Sequence, residues 1–160
     1  MAIKVGDRVP NATFTVMTAE GPKPKTSDEI FKGKKVVLFA VPGAFTPTCH
    51  KNHLPGFVKN AGAIKGKGID TIAVTGVNDV FVMDAWKKAS GGDAIEFLAD
   101  GSANFAKALG LTADLTERGL GVRSQRYAMV VQDGVVKTLN VEDAPGKAEI
   151  SGADNLMKSL

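Results

Sequence analysis

The sequence has little of what marks several common protein classes. Its 160 residues contain one cysteine, Cys49, and two histidines, His50 and His53. A disulfide framework within these residues is therefore excluded, and a zinc site built from the three neighbours would need a distant carboxylate to complete it. Cys49 and His50 are also adjacent, so they face different sides of any helix. We therefore expect neither a metal nor a cofactor.

Charge and hydrophobicity exclude further classes. Lys plus Arg number 20 against 17 Asp plus Glu, a formal net charge of +3, and the excess is spread along the chain, so a nucleic-acid surface is not indicated. No apolar run approaches the roughly 20 residues of a membrane span. The first ten residues, MAIKVGDRVP, lack the apolar core of a secretory signal. We expect one soluble domain over residues 1–160, without nucleic-acid or membrane partners, in the cytoplasm, although a mature organellar form would look the same.

Two continuous apolar runs predict the centre of the fold. Residues 35–41 and 69–77 are typical of strands buried on both faces. Residues 48–67 between them supply helical material, which Pro55 and Gly56 should interrupt. A strand, a helix and a second strand form a βαβ unit, so the two strands should lie parallel and adjacent.

The rest of the chain completes a recognisable order. Asp133 and Gly134 predict a type I′ hairpin between strands at 127–132 and 135–141. Parallel strands followed by an antiparallel hairpin and a closing helix predict a thioredoxin-like α/β fold, with a central mixed sheet flanked by helices. The other expected elements are a helix capped by Asn78 or Asp79 that runs to Ser90 with Val82, Ala85 and Trp86 inside, a strand at 95–98, a short helix ending at Gly110, a C-terminal helix within 152–160, and a turn-rich connection at 21–25.

The residues around Cys49 predict a stabilised sulfur anion. Pro47 suits the first position of a helix, with Thr46 as its N-cap, and Cys49 then occupies the third position. Unpaired N–H groups and the helix dipole favour a negative sulfur there. His53 follows one turn later on the same face. The phosphate-loop and nucleophile-elbow motifs are missing, so Cys49 is the strongest candidate for a reactive atom.

A stabilised thiolate alone explains little acceleration. An ordinary cysteine with a pKa of about 8.5 is about 3% thiolate at neutral pH, so ionising it fully gains about thirtyfold. Anything larger requires groups that stabilise charge in the transition state, and a guanidinium is the obvious supplier. No arginine lies between Arg8 and Arg118, which leaves Arg118, Arg123 and Arg126. Arg126 leads directly into a predicted strand and is the best anchored.

Each of these residues also has a structural interpretation. A lone cysteine is often a small buried hydrophobe. His53 suits a structural hydrogen-bonding role or that of a general base. Thr46 suits a plain helix cap or a catalytic donor, and Arg126 suits a surface ion pair. Spacing alone leaves these alternatives open.

The motif Pro42-x-x-x-Thr46-x-x-Cys49 resembles the active-site signature of peroxiredoxins, thiol-dependent peroxidases with a thioredoxin-like fold. The longer stretch VPGAFTPTCHKNHLPGF, residues 41–57, is similar to the subfamily of peroxiredoxin 5 and the plant type II enzymes. The further matches are Lys4-Val5-Gly6-Asp7, Val77-Asn78-Asp79 with Phe81 and Trp86, and YAMVVQDG at 127–134.

The resemblance implies a role for each matching residue. Cys49 would attack the O–O bond of a hydroperoxide and become a sulfenic acid. Thr46 would hydrogen-bond the peroxide, Pro42 would shield the thiolate from water, and Arg126 would polarise the peroxide. The residues expected to bind substrate are Thr48, His53, Phe45 and Leu120.

One departure from the family concerns recycling. Some members carry a second, resolving cysteine, whose C-terminal place is here taken by Ile150 or Ser151. The resemblance then implies reduction by an outside thiol, either glutathione with glutaredoxin or thioredoxin, and a homodimer. A redox sensor oxidised at Cys49 without efficient turnover is the alternative. A thioredoxin-type disulfide oxidoreductase is disfavoured because C-x-x-C is missing.

Overall fold

The computed structural model describes residues 2–144 and 147–160. The strands are β1 (Thr13–Thr18), β2 (Gly21–Thr26), β3 (Lys35–Val41), β4 (Thr71–Gly76), β5 (Glu96–Ala99), β6 (Thr112–Leu115), β7 (Gly121–Ser124), β8 (Tyr127–Gln132) and β9 (Val135–Val141). The helices are α1 (Ser27–Phe31), α2 (Leu54–Lys65), α3 (Val80–Ser90), α4 (Asn104–Leu109) and α5 (Ala153–Met157).

A seven-stranded mixed sheet in the order β2-β1-β5-β4-β3-β8-β9 forms the centre, and β6 pairs with β7 separately. β3, β4 and β5 run parallel, while β8 pairs antiparallel with β3. The predicted βαβ unit and the thioredoxin-like mixed α/β fold are confirmed. Strand β3 is buried along nearly its whole length because apolar clusters cover both faces of the sheet.

The sequence predicted a turn-rich connection at 21–25, and this prediction is wrong. These residues belong to the edge strand β2. Pro22 and Pro24 suggested a turn because proline cannot donate to a strand ladder. At the edge of a sheet this defect is tolerated, since one side of the strand has no neighbour.

The helix after β3 is not interrupted at Pro55 and Gly56, which corrects a second prediction. Helical backbone begins at Pro47, passes through a π-helical turn over Cys49–His53 and continues as α2. Pro55 directly follows this π turn, so its missing N–H falls where the hydrogen-bond spacing changes from five residues back to four, and the helix continues past it.

The predictions for α3 and the hairpin are mostly confirmed. The Asp79 side chain caps α3 by accepting from Val82 N at 2.9 Å. Trp86 is buried as predicted, but Val82 is half-buried and Ala85 is exposed, because Val80 and Met83 share the inner face with Trp86 instead. Asp133 and Gly134 have φ of 48° and 80°, as a type I′ turn requires. Among the described residues, no helix has the length and apolar character needed to span a membrane.

Candidate active site

Cys49 lies at the carboxyl end of β3, where the chain turns into its helix. Near its start the helix contains the π turn over Cys49–His53, in which Leu54 N donates to Cys49 O, five residues back and not four as in an α-helix. Such turns are rare and frequently occur at functional sites. The turn keeps Cys49 and His53 both buried, at 0% and 1% exposure.

The Cys49 sulfur is surrounded by hydrogen-bond donors. The Thr46 hydroxyl lies 2.9 Å from Sγ, and Arg126 Nη2 donates to Sγ, also over 2.9 Å. A guanidinium never gives up its charge under ordinary conditions, so it favours the sulfur as an anion. These contacts distinguish Cys49 from an inert buried cysteine, which packs as a small hydrophobe.

The Thr46 hydroxyl has two neighbours and one proton. Gly43 O lies 2.7 Å from Oγ1 and Cys49 Sγ lies 2.9 Å from it. When Cys49 is a thiol, its S–H donates to Thr46 and the hydroxyl donates to Gly43 O. When Cys49 is a thiolate, the hydroxyl turns and donates to the sulfur. The structure therefore supports a donor role for Thr46 beside its place at the start of the helix.

Arg126 is the arginine that reaches the sulfur, as the sequence favoured. It immediately precedes β8, whose first pair with β3 is Tyr127 opposite Ala40, so the register brings it to the end of β3. Arg126 as a residue is 2% exposed, which contradicts a surface ion pair. Arg123 instead donates to Leu120 O at 2.7 Å and to Pro42 O at 3.3 Å, and so links the segment before β7 to the loop that follows β3.

Both ring nitrogens of His53 have hydrogen-bond partners, Arg126 and Ser151. Its Nδ1 lies 2.9 Å from Arg126 Nη1, and its Nε2 lies 2.9 Å from Ser151 O. Since the guanidinium only donates and the carbonyl only accepts, Nε2 carries the proton and Nδ1 accepts. Burial, with the nearby Arg126 charge, lowers the pKa of His53 to about 3. The ring is therefore neutral and both nitrogens are occupied, which favours the structural alternative.

A cavity of about 280 Å³ opens beside these groups. The residues that line it are Pro42, Thr46, Pro47, Thr48, Leu115, Arg118, Leu120 and Arg126. Cys49 itself is fully buried, but two of its hydrogen-bond partners, Thr46 and Arg126, form part of the cavity wall. A small molecule in the cavity would meet the donors of the sulfur.

Two of the residues expected to bind substrate do not line this cavity. The Phe45 ring packs on His50, with 5.6 Å between ring centres, at a turn where Phe45 has a φ of 63°. His53 lies behind Arg126, to which it is bonded. Thr48 and Leu120 do line the cavity, and Pro42 is buried at its edge.

The sequence analysis missed two kinds of residue at the site. Ser151 was noted only as a possible occupant of the resolving position, yet its carbonyl binds His53. Leu115 and Arg118 belong to the cavity wall, although they lie far from Cys49 in the sequence. The only available signal for Arg118 was its place among the few C-terminal arginines.

Comparison with known proteins agrees with this geometry. A family model described as Redoxin matches residues 4–157. Peroxiredoxin-2E-2, chloroplastic, of Oryza sativa subsp. japonica is 50% identical over 99% of this chain and 72% of its own length. Peroxiredoxin-2B of Arabidopsis thaliana is 45% identical over 99% of this chain and 98% of its own.

A solved structure gives the same answer. Reduced Prx3 of Vibrio vulnificus in complex with hydrogen peroxide superimposes with a TM-score of 0.94 and 52% identity, covering 98% of both chains. The chain therefore belongs to the redoxin family and, within it, to the peroxiredoxins of the plant type II kind, which makes it a thiol-dependent peroxidase.

Proposed function

We propose that the chain reduces hydrogen peroxide and organic hydroperoxides by a one-cysteine mechanism and that an external thiol restores it. The observation that carries the proposal is the placement of Cys49, the single cysteine of these residues, 2.9 Å from a buried guanidinium nitrogen. Glutathione with glutaredoxin, or thioredoxin, are the reductants to test.

The first step is an attack of the Cys49 thiolate on one peroxide oxygen. An S–O bond forms as the O–O bond breaks, the sulfur is oxidised to a sulfenic acid, and the peroxide is reduced. The departing oxygen leaves as hydroxide or alkoxide and takes a proton from water. The products are the sulfenic acid and water or an alcohol.

The two groups that donate hydrogen bonds to the sulfur can also stabilise the negative charge that develops on the departing oxygen in this step. As the negative charge passes from sulfur to the departing oxygen, Arg126 Nη2 and the Thr46 hydroxyl remain beside both. Preorganised donors of this kind lower the barrier most where water is excluded. His53 stays neutral and holds the guanidinium, while buried Pro42 keeps water from the sulfur.

Recycling requires two thiols from outside. The first attacks the sulfenic sulfur, releases water and leaves a mixed disulfide on Cys49. The second attacks that disulfide, restores the Cys49 thiol and leaves as an external disulfide. Because these residues contain no other cysteine, no disulfide within them competes with this route.

The cavity walls support organic hydroperoxides as substrates. Pro42, Leu115 and Leu120 present apolar surface beside the donors, and Arg118 is the exposed cation of the wall. An alkyl group would bury apolar area there, at about 25 cal/mol for each Å² removed from water. The Vibrio vulnificus relative was crystallised with hydrogen peroxide, which supports the smaller substrate as well.

Steady-state kinetics test the proposal. Hydrogen peroxide and tert-butyl hydroperoxide are each offered with glutathione and glutaredoxin, and with thioredoxin and its reductase. Sustained turnover with at least one pair is the expected result. Consumption of one equivalent of peroxide followed by none, with every thiol donor, would contradict the enzyme and favour the redox sensor.

We also propose a homodimer formed through the edge that carries the active site. Phe81 is 65% exposed and Phe45 is 45% exposed, and both follow the carboxyl ends of parallel strands. Asn78 Oδ1 accepts from Ala44 N at 2.8 Å, so the loop that carries Phe45 is joined to the residues just before α3, the helix that carries Phe81. Large exposed aromatic side chains on a joined surface favour a protein partner.

Sedimentation equilibrium of Phe81→Asp tests the dimer. A shift toward monomer is expected, because a charge at the interface opposes burial. The matched control is Val5→Asp, which alters a residue that is 56% exposed near the N-terminus and should leave assembly unchanged. Equal dimerisation of both variants would place the interface elsewhere.

A further inference from the structure

A buried carboxylate outside the cavity of Cys49 leads to a further inference. Glu142 is only 7% exposed, and burying a charged carboxyl is costly unless hydrogen bonds compensate it. Its Oε2 accepts from Ser151 N and from Ser151 Oγ, both at 2.7 Å. The carboxylate therefore holds Ser151 by two bonds on one oxygen.

Ser151 in turn holds His53. The Ser151 carbonyl accepts from His53 Nε2 at 2.9 Å, and this bond decides which ring nitrogen keeps its proton. With the proton on Nε2, Nδ1 is free to accept from Arg126. If the Ser151 carbonyl moved away, the proton could shift to Nδ1 and would then face the guanidinium donor.

The chain of bonds returns to its starting residue. Glu142 N donates to Arg126 O at 2.9 Å, where the pairing of β8 with β9 ends. Arg126 is thus bound to Glu142 directly through its main chain and indirectly through its side chain, His53 and Ser151. A closed ring of hydrogen bonds leaves each member little freedom to reorient.

We propose that Glu142 is a positioning residue that, through Ser151 and His53, fixes the guanidinium of Arg126 against the Cys49 sulfur. The inference rests on the proposed function, since it is the reaction of Cys49 with peroxide that depends on the guanidinium. Glu142 touches neither the sulfur nor the cavity of about 280 Å³. Its contribution is the place of its acceptor oxygen and not its charge.

Two conservative variants separate the effect of the position of the Glu142 acceptor oxygen from the effect of the carboxylate charge. Glu142→Gln removes the charge but keeps an acceptor oxygen at the same reach, and a cavity of about 210 Å³ that Glu142 lines leaves room for the amide. Glu142→Asp keeps the charge but withdraws the acceptor by one methylene. Asp143→Asn is the matched control, because it neutralises the next carboxylate, which is 81% exposed and pairs with Lys147.

Three measurements are made on each folded variant. Single-turnover kinetics give the rate of Cys49 with hydrogen peroxide, and the ultraviolet absorbance of the thiolate gives the pH midpoint of its formation. Nitrogen NMR of labelled His53 reports which ring nitrogen carries the proton.

We expect Glu142→Asp to react about tenfold slower, with its thiolate midpoint at higher pH and mixed His53 tautomers. Glu142→Gln should stay within about threefold of the wild-type rate with one tautomer, and Asp143→Asn should be unchanged.

Other outcomes overturn the inference. A slow Glu142→Gln beside a normal Glu142→Asp would assign the effect to charge. A normal rate, midpoint and His53 spectrum in Glu142→Asp would reduce Glu142 to a stabilising contact. Should Glu142→Asp not fold, Ser151→Ala takes its place, with about threefold slowing expected for the lost hydroxyl bond, and wild-type values would again overturn the inference. The His53 spectrum is recorded without peroxide, so it tests the positioning role of Glu142 even if the protein is not a peroxidase. A lack of peroxidase activity in the wild-type protein would refute only the proposed function.

Discussion

Two parallel strands of the sheet are each followed by a buried hydrogen-bond acceptor close to the start of a helix, and the two acceptors are held differently. After β5, Asp100 is 5% exposed, and its two oxygens accept from Phe105 N and Ala106 N at the start of α4, each at 3.0 Å. After β3, Cys49 is fully buried and meets side-chain donors, Thr46 and Arg126. The first acceptor has main-chain N–H partners, and the second has a side-chain hydroxyl and a charged guanidinium.

The difference separates a structural anion site from a reactive one. Burial raises the pKa of Asp100 even though main-chain N–H groups bind it, because neutral donors replace only part of the lost hydration. These donors belong to the helix and cannot turn toward a ligand. At Cys49 the hydroxyl can rotate toward a substrate and the guanidinium, held in place, brings a full charge, so both donors can stabilise charge as it passes from sulfur to a substrate.

Replacing the reactive acceptor should give the largest effect. Cys49→Ser is expected to abolish peroxide consumption, because a serine hydroxyl is not ionised at neutral pH and is a poor nucleophile toward the O–O bond. The fold should persist, since the substitution is small. Peroxide consumption and circular dichroism are measured together, and any sustained turnover would refute Cys49 as the reacting atom.

Replacing the charged donor should come next. Arg126→Lys is expected to slow the reaction with peroxide by more than about tenfold, because a point charge cannot bond Cys49 and His53 at once as the planar fork does. Arg8→Lys, at an exposed position that contacts Asp133 O and lies outside this cavity, is the control and should stay near normal. A near-normal rate for Arg126→Lys would transfer the role to Arg123.

Altering the structural acceptor should affect stability and spare activity. Asp100→Asn leaves one oxygen for two N–H groups and turns an amide donor toward the other, which should lower the free energy of unfolding by about 2 kcal/mol. Urea unfolding measures the loss, and the rate per folded molecule should not change. A slowed reaction at unchanged stability would erase the distinction between the two sites.

Acid should weaken the reactive region gradually through His53. Its pKa is about 3 in the folded protein against 6.5 for an ordinary histidine, so below pH 6.5 the unfolded chain binds a proton that the folded chain refuses. The contribution of His53 to the free energy of unfolding is therefore fully present above pH 6.5. It falls as the pH drops toward 3, by up to about 1.4 kcal/mol per pH unit.

Urea unfolding at stepped pH checks this slope. His53→Gln should flatten it, and His50→Gln is the matched control, because it replaces the neighbouring half-buried histidine, whose Nδ1 accepts from Trp86 Nε1. An identical slope in all three proteins would show that carboxylates, and not His53, dominate acid unfolding.

Local patterns predicted the central elements well and their surroundings less well. The apolar run of β3, the Asp79 cap and the hairpin at Asp133 depend on neighbours in sequence, and the structure contains each of them. The uninterrupted helix through Pro55 and the edge strand β2 were mispredicted. The prolines of β2 are tolerated because the strand lies at the edge of the sheet, and Pro55 is tolerated because it follows the π turn, whereas the general rule for proline predicts a break in both places.

The sequence by itself determined that the single sulfur would stand in the first turn of a helix after a buried strand, because spacing over a few residues sets caps and turns. The tertiary structure decided which of the C-terminal arginines bonds the sulfur, Arg126 at 77 residues away, and that the histidine bonded to Arg126 is held by Ser151, 98 residues from it. Strand register brings such residues together, and register depends on the packing of the whole sheet.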